Sequence, residues 1–186
     1  MKTIFDLCKR LDNPIRRELL RRVYTSHDGG ANVTLAQDNC GLGMSGTSQY
    51  LRQLEELGLI RRQRSGRYVN YLADWSMASP EIQVVAEGIY ARFKAGKDIE
   101  SLAPVFHTMM NPFRARVLKW LLNGGSGEKD VICERFDKRR ETVARDLKPA
   151  IDDGLLDMTD DDESSGEYLL LKPTDPLALK ILEFSV

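Results

Sequence analysis

Asn13-Pro14-Ile15-Arg16 returns 98 residues further on as Asn111-Pro112-Phe113-Arg114, and the apolar residues behind it return too. Leu19, Leu20 and Val23 match Val117, Leu118 and Leu121, spaced to line one face of a helix. Proline suits the first helical turn, where its missing N–H has no partner to lose. A second match follows, with Leu57-Gly58-Leu59-Ile60 corresponding to Asp153-Gly154-Leu155-Leu156 at an offset of 96. Glycine there reads as a helix stop in the left-handed conformation, leading directly into a strand. Offsets so nearly equal mark a duplication.

Each copy reads in the same order. A leading helix (2–11, then 98–109) precedes the Asn-Pro helix (14–25, then 112–123). A glycine-rich loop follows, His27-Asp28-Gly29-Gly30 in one copy and Asn123-Gly124-Gly125-Ser126-Gly127 in the other. Two closely spaced helices come next. In the first copy Thr34-x-x-Gln37 predicts a capping box on the earlier one and Ser45 a cap on the later. In the second they cover 128–136 and 139–152, with Asp137 as the expected cap. Two short strands close each copy, 59–64 and 67–72 about Ser65-Gly66, then 155–159 and 167–172 about Ser164-Ser165-Gly166. Two adjacent helices followed by a hairpin make a helix-turn-helix with a wing. Between the copies Ser79-Pro80-Glu81 starts a helix over 80–95, with Ile82, Val85, Ala86, Ile89, Tyr90 and Phe93 as its apolar stripe. Asp175-Pro176-Leu177 starts a shorter one carrying Leu177, Ile181, Leu182 and Phe184. The expected organisation is a first unit over 1–78, a packing helix over 79–96 and a second unit over 97–186. The fold class is mainly α with small β-hairpin wings (α+β).

Composition sets limits on function. The chain of 186 residues is 42% hydrophobic and 30% charged, which suits a globular protein with a core. No apolar run reaches the roughly 18 residues that span a bilayer, so no membrane partner is expected. The opening MKTIFDLCKRLDN is charged throughout and reads as an amphipathic helix, not a signal peptide. Cys8, Cys40 and Cys133, odd in number and far apart, suggest no disulfide framework and point to the reducing cytoplasm. The net charge of −1 averages two unlike halves. Residues 1–95 carry 14 Lys and Arg against 10 Asp and Glu, whereas residues 96–186 carry 13 against 18. The first half has the balance of a phosphate binder.

The Asn-Pro-x-Arg helix start, the run Ser45-Gly46-Thr47-Ser48-Gln49-Tyr50-Leu51-Arg52-Gln53-Leu54-Glu55-Glu56-Leu57-Gly58-Leu59-Ile60, and Arg140-Glu141-Thr142-Val143-Ala144-Arg145-Asp146-Leu147 through Gly154-Leu155-Leu156 together resemble the ArsR-like branch of bacterial winged-helix regulators. The resemblance occurs twice and spans nearly the whole chain. Family members usually pair two chains through their first and last helices and lay two recognition helices in successive major grooves. The resemblance therefore implies a tandem winged helix-turn-helix acting as an intramolecular pseudo-dimer on double-stranded DNA. The 80–95 helix would be linker and packing surface, and one through which two chains could also form a homodimer.

A recognition helix buries one stripe and offers short polar or basic side chains on the other. Leu51, Leu54 and Leu57 are the expected buried stripe of the first copy, leaving Ser45, Ser48, Gln49 and Arg52 for base edges and phosphates. The wing brings Arg61, Arg62, Arg64 and Arg67 within seven residues, beside Tyr68 and Tyr71. Strand alternation cannot aim all four at one surface, so two or three are expected on phosphates. The alternative is a merely solvated basic hairpin. In the second copy Arg140, Thr142, Arg145 and Lys148 are the recognition-helix candidates, with Lys138 and Arg139 nearby. That copy departs from the family at Ala144 and Asp146, where Ser and His are frequent. Pro149 removes a helical hydrogen bond and is expected to kink the helix. Its wing, residues 157–167, holds Asp157, Asp160, Asp161, Asp162, Glu163 and Glu167 and no base, so it would swing clear of phosphates or meet a basic protein partner.

Other chemistries find little support. The family's Cys-Val-Cys metal site is absent; Cys133 follows Ile132 where a small core residue belongs, and His27 and His107 have no partner at ligand spacing. No metal or other cofactor is expected. Asp160-Asp161-Asp162-Glu163 lacks the spaced ligands and central glycine of a calcium loop. Gly41-Leu42-Gly43-x-x-Gly46 imitates a dinucleotide fingerprint but follows a helix instead of a strand. No nucleophile–base pair or phosphate-cradling loop is evident, so no enzymatic activity is expected. Trp75 and Trp120 read as packing residues. The competing functional class is a protein-interaction scaffold, which the acidic face of the second copy would suit.

Overall fold

Asn13 opens its helix as its side chain allows, accepting the Arg16 amide at 3.1 Å with Pro14 in the first turn. Asn111 repeats this at the second copy, accepting from Phe113 and Arg114 at 2.9 and 3.2 Å. The computed structural model describes residues 2–26, 30–37, 41–66, 68–159 and 166–184. It is a mainly helical α+β structure with two small antiparallel sheets. Contacts within the chain divide it into two compact units, Met1–Ala103 and Pro104–Val186.

The first unit runs α1 (Ile4–Leu11), α2 (Pro14–Thr25), β1 (Gly30–Asn32), α3 (Val33–Gln37), α4 (Met44–Glu56), β2 (Ile60–Ser65), β3 (Tyr68–Ala73) and α5 (Pro80–Lys94), then a 3-10 turn at Glu100–Leu102. Thr3 and Asp6 close a capping box on α1, which buries Ile4, Leu7, Cys8 and Leu11. Leu19, Leu20, Val23 and Tyr24 of α2 supply the middle of the core. The expected stripe of α5 is buried at Ile82, Val85, Ala86, Ile89 and Phe93, and the helix packs on α1 and α2. Trp75 lies in an aromatic cluster with Tyr24 (5.6 Å between ring centres) and Tyr90 (5.2 Å), as a packing residue should.

The second unit runs α6 (Ala103–Met109), α7 (Pro112–Leu122), α8 (Lys129–Phe136), α9 (Arg140–Asp152), β4 (Leu156–Met158), β5 (Tyr168–Leu170) and α10 (Pro176–Glu183). The leading helix expected over 98–109 starts later, because Pro104 has no N–H to donate back to Glu100. α9 is not interrupted at Pro149 and continues to Asp152.

The helix stops repeat closely. Gly58 and Gly154 have φ of +78° and +70°. At each the glycine amide and the next one fold back on the helix: Gly58 to Glu55 O and Leu59 to Leu54 O, Gly154 to Ile151 O and Leu155 to Ala150 O. Three expected caps are corrected. Thr34 lies inside α3, which follows β1 without a gap, so it does not precede the helix. Ser45 lies in the first turn of α4, whose cap is an extended Gly43 with no side-chain bond. Asp137 ends α8 in the left-handed region (φ 51°), which a short polar residue tolerates, and Arg139 occupies the cap position of α9.

β1 was not legible as a strand. It pairs with β3, giving the order β1-β3-β2, and the loop expected at 27–30 therefore ends in a sheet. A Cβ on Gly30 would lie 2.8 Å from Tyr71 O, so only glycine permits that approach. The second unit keeps a remnant of this pairing. Gly127 O accepts the Tyr168 amide at 2.9 Å, Glu128 bridges Glu167, and a Cβ on Gly127 would lie 1.9 Å from Tyr168 O. Gly30 and Gly127 are 97 residues apart, midway between the two offsets read above.

The repeated arginine is less faithful. Arg17, buried, donates to the Leu11 and Asp12 carbonyls at 2.8 Å each and to Glu100 at 2.9 Å. The corresponding work in the second unit falls to Arg114, on the Thr108 and His107 carbonyls, although the sequence match of Arg114 is Arg16.

Candidate nucleic-acid interface

α4 presents two faces. Thr47, Leu51 and Leu54 are buried, with Leu57 just beyond the helix, whereas Ser45, Gln49 and Arg52 are exposed and Ser48 is half-buried. Ser45, Ser48, Arg52 and Glu55 follow one another at helical spacing. From Ser45 to Arg52 the stripe is about 10 Å long, close to the roughly 12 Å width of a major groove. Arg16 of α2 braces this helix, donating to Gln53 at 3.1 Å with its guanidinium 5.3 Å from the Tyr50 ring centre. Burial, reinforced by Arg10, lowers the Arg16 pKa. The sequence marks Arg16 only as part of a helix start, because its bond to a residue 37 positions away depends on the tertiary fold.

The hairpin sorts its arginines by strand alternation. In the pairing Ile60↔Ala73, Arg62↔Tyr71 and Arg64↔Val69, Arg62 and Arg64 share the face of Ile60 and Tyr71, both buried. Arg62 stands 3.7 Å from Glu55, at the end of the α4 stripe. Burial, then Glu55, pushes the Tyr71 hydroxyl up in pKa; Arg62 and Arg52 oppose this, Arg52 through a hydrogen bond. Arg52, Glu55, Arg62 and Tyr71 thus join α4 to the hairpin. Among the described residues Arg64 has no carboxylate partner. Arg61 is on the opposite face and pairs with Asp74 at 2.5 Å. Hydrogen bonds from Ser76, then Arg61, hold the Asp74 carboxyl below its usual pKa. Arg67 lies outside the described residues.

In α9 Val143, Leu147 and Ala150 are buried; Arg140, Arg145 and Lys148 are exposed and Thr142 is half-buried. The helix therefore presents basic groups outward, but each meets a carboxylate. Arg140 forks onto Asp130, its Nε at 2.6 Å. Arg145 lies 3.1 Å from Asp146 and Lys148 3.3 Å from Asp152. Such solvent-exposed pairs are weakly held, so a stronger anion can displace them. They nonetheless cancel most of the helix's local charge. Asp157 and Glu167 are exposed at the hairpin; Asp160, Asp161, Asp162 and Glu163 lie outside the described residues.

Among the described residues no group of three or more His, Cys, Asp or Glu could hold a metal ion, and no helix is long and apolar enough to cross a membrane. His27 and Cys40 lie outside the described residues. His107 is engaged with Asp153 at 2.8 Å. Burial pushes the thiols of Cys8 and Cys133 up in pKa, away from the thiolate a metal would need. The chain matches no protein-family model, no curated protein and no solved structure.

Proposed function

We propose that this chain is a DNA-binding transcriptional regulator, an ArsR-like tandem winged helix-turn-helix protein whose first unit makes the main duplex contact. One observation carries the reading. The polar stripe Ser45, Ser48 and Arg52 on α4 ends at Glu55, where Arg62 begins the basic face of the hairpin that Arg64 extends. In this reading α4 enters the major groove and reads base edges with Ser45, Ser48, Gln49 and Arg52, while Arg62 and Arg64 hold phosphates. Arg61 and Arg62 are both paired with acids, but Arg61 is held closely by Asp74 at 2.5 Å whereas Arg62 stands 3.7 Å from Glu55, so Arg61 contributes less. The protein works in the cytoplasm, without a cofactor or catalytic activity, and its two units act as a fused pseudo-dimer.

A second reading is favoured at one place. The carboxylates against Arg140, Arg145 and Lys148, with the acidic 157–167 hairpin, suit the second unit to a basic protein partner better than to phosphates. Selection of bound sequences from a random duplex pool tests the regulator against a pure scaffold. Enrichment of a short common sequence is expected. One asymmetric site indicates a lone chain, and a palindrome of such sites indicates a homodimer, for which the 80–95 helix is the candidate surface. No enrichment and no duplex binding at low salt would leave only the scaffold.

A further inference from the structure

On the second unit α7 and α8 form a cleft of about 260 Å³, lined by Arg116, Lys119, Trp120, Asn123, Arg135 and Phe136. None of these residues takes part in the interface proposed above. The cleft is unusual in its surroundings, because residues 104–186 hold 12 Lys and Arg against 16 Asp and Glu. Arg140, Arg145 and Lys148 are all matched to acids. Arg116 and Arg135 are not: among the described residues neither makes an ion pair. Each lies over an aromatic ring instead, Arg116 at 5.2 Å from the Phe136 centre and Arg135 at 5.3 Å from that of Trp120.

The rings are themselves held in place. Phe136 meets Phe113 edge to face at 5.7 Å. The Trp120 indole N–H donates to Ser126 O at 3.2 Å, and the Gly125 backbone presses on the ring so closely that a Cβ there would lie 2.1 Å from it. A guanidinium held over a ring by a cation–π contact still has N–H groups to donate. The ring contact also restrains the side chain before any ligand arrives, reducing the entropy cost of binding. One fork satisfies a carboxylate, whereas two forks and the Lys119 ammonium suit a group with more oxygens and more charge.

We propose that this cleft binds a phosphate group, gripped by Arg116 and Arg135 with Lys119 at its edge, and that its ligand is a phosphate-bearing compound. The volume, just under the roughly 300 Å³ at which small-molecule pockets begin, suits one phosphate with a small organic group beside Trp120 and Asn123. The phosphate can come from a free compound or from a nucleic-acid backbone, and the two are separable.

The full chain is titrated by calorimetry with inorganic phosphate, with AMP and with duplex DNA, as parent, Arg116→Gln/Arg135→Gln and Arg145→Gln. Saturable binding of phosphate or AMP, weakened at least about tenfold in the paired variant and unchanged in Arg145→Gln, is the result expected for a free ligand. Duplex binding that weakens in the paired variant, with no response to phosphate or AMP, assigns the site to a nucleic-acid backbone. Melting curves check that the variant folds. Arg116→Lys/Arg135→Lys, which keeps both charges but loses the forks, should bind less tightly than the parent if the cleft works as described. Parent binding of all three probes that is absent, or that neither paired variant alters, overturns the proposal. Phosphate or AMP binding here stands even if Arg62 and Arg64 prove irrelevant to DNA, so the two ideas fail separately.

Discussion

Tyr24→Phe removes a single oxygen atom, and its consequence can be worked from the structure. The Tyr24 hydroxyl donates to the Leu59 carbonyl at 2.8 Å, with Tyr24 1% and Leu59 0% exposed. The ring stays in its aromatic cluster after the change, so packing is preserved. The bond disappears, and a buried carbonyl remains without a partner. The expected cost is about 1–3 kcal/mol. In a unit of roughly 100 residues that lowers Tm by about 4–8 °C for each kcal/mol. Urea unfolding in a Trp120→Phe background, where Trp75 is the one indole left, reads the first unit directly. Tyr90→Phe is the control: its ring touches the same cluster, and among the described residues its hydroxyl makes no hydrogen bond. Burial also raises the Tyr24 pKa, so the unfolded chain ionises first on the alkaline side. That contribution to stability is present below about pH 10 and lost as pH rises above it, and it should shrink in the variant. Tyr24→Phe as stable as the parent, or no less stable than Tyr90→Phe, would refute the anchoring role of this bond at the root of the hairpin.

Two further outcomes follow from the same structure. Gly127→Ala must move the β5 backbone, since its Cβ would meet Tyr168 O at 1.9 Å; a loss of about 1–3 kcal/mol is expected in chemical denaturation, confined to the second unit's transition. Asp130→Asn removes the acid that occupies Arg140, and duplex affinity at low salt should rise by about twofold to fivefold if α9 can reach phosphates. Unchanged affinity would place α9 away from the duplex.

The features legible in the sequence are those that neighbouring residues decide. Asn13 and Asn111 cap because each side chain reaches an amide within three residues. Gly58 and Gly154 stop helices because the left-handed turn is a local need. Strand alternation alone separates Arg61 from Arg62 and Arg64. Caps failed at Thr34 and Ser45, which lie inside the first turns of their helices, and at Asp137, which closes the preceding helix and leaves Arg139 at the cap position. β1 is three residues long, and its partner strand lies about forty positions away, so no periodicity could reveal it. Chain separation, though shorter, also hid two of the carboxylates that occupy arginines. Asp130 is ten residues from Arg140 and Asp74 thirteen from Arg61, and only the fold brings them together.

The central claim is that the first unit grips duplex DNA through the face that Arg62 and Arg64 share. Duplex binding measured across a salt series, for the parent and for Arg62→Ala/Arg64→Ala, tests it most directly. Removing one arginine from a phosphate should flatten the plot of log K against log salt by about 0.9, so the double variant should fall by about 1.8 in slope and bind more weakly. Arg61→Ala, on the opposite face, should change the slope far less. A double variant that binds as tightly as the parent, with the same slope, would contradict the account.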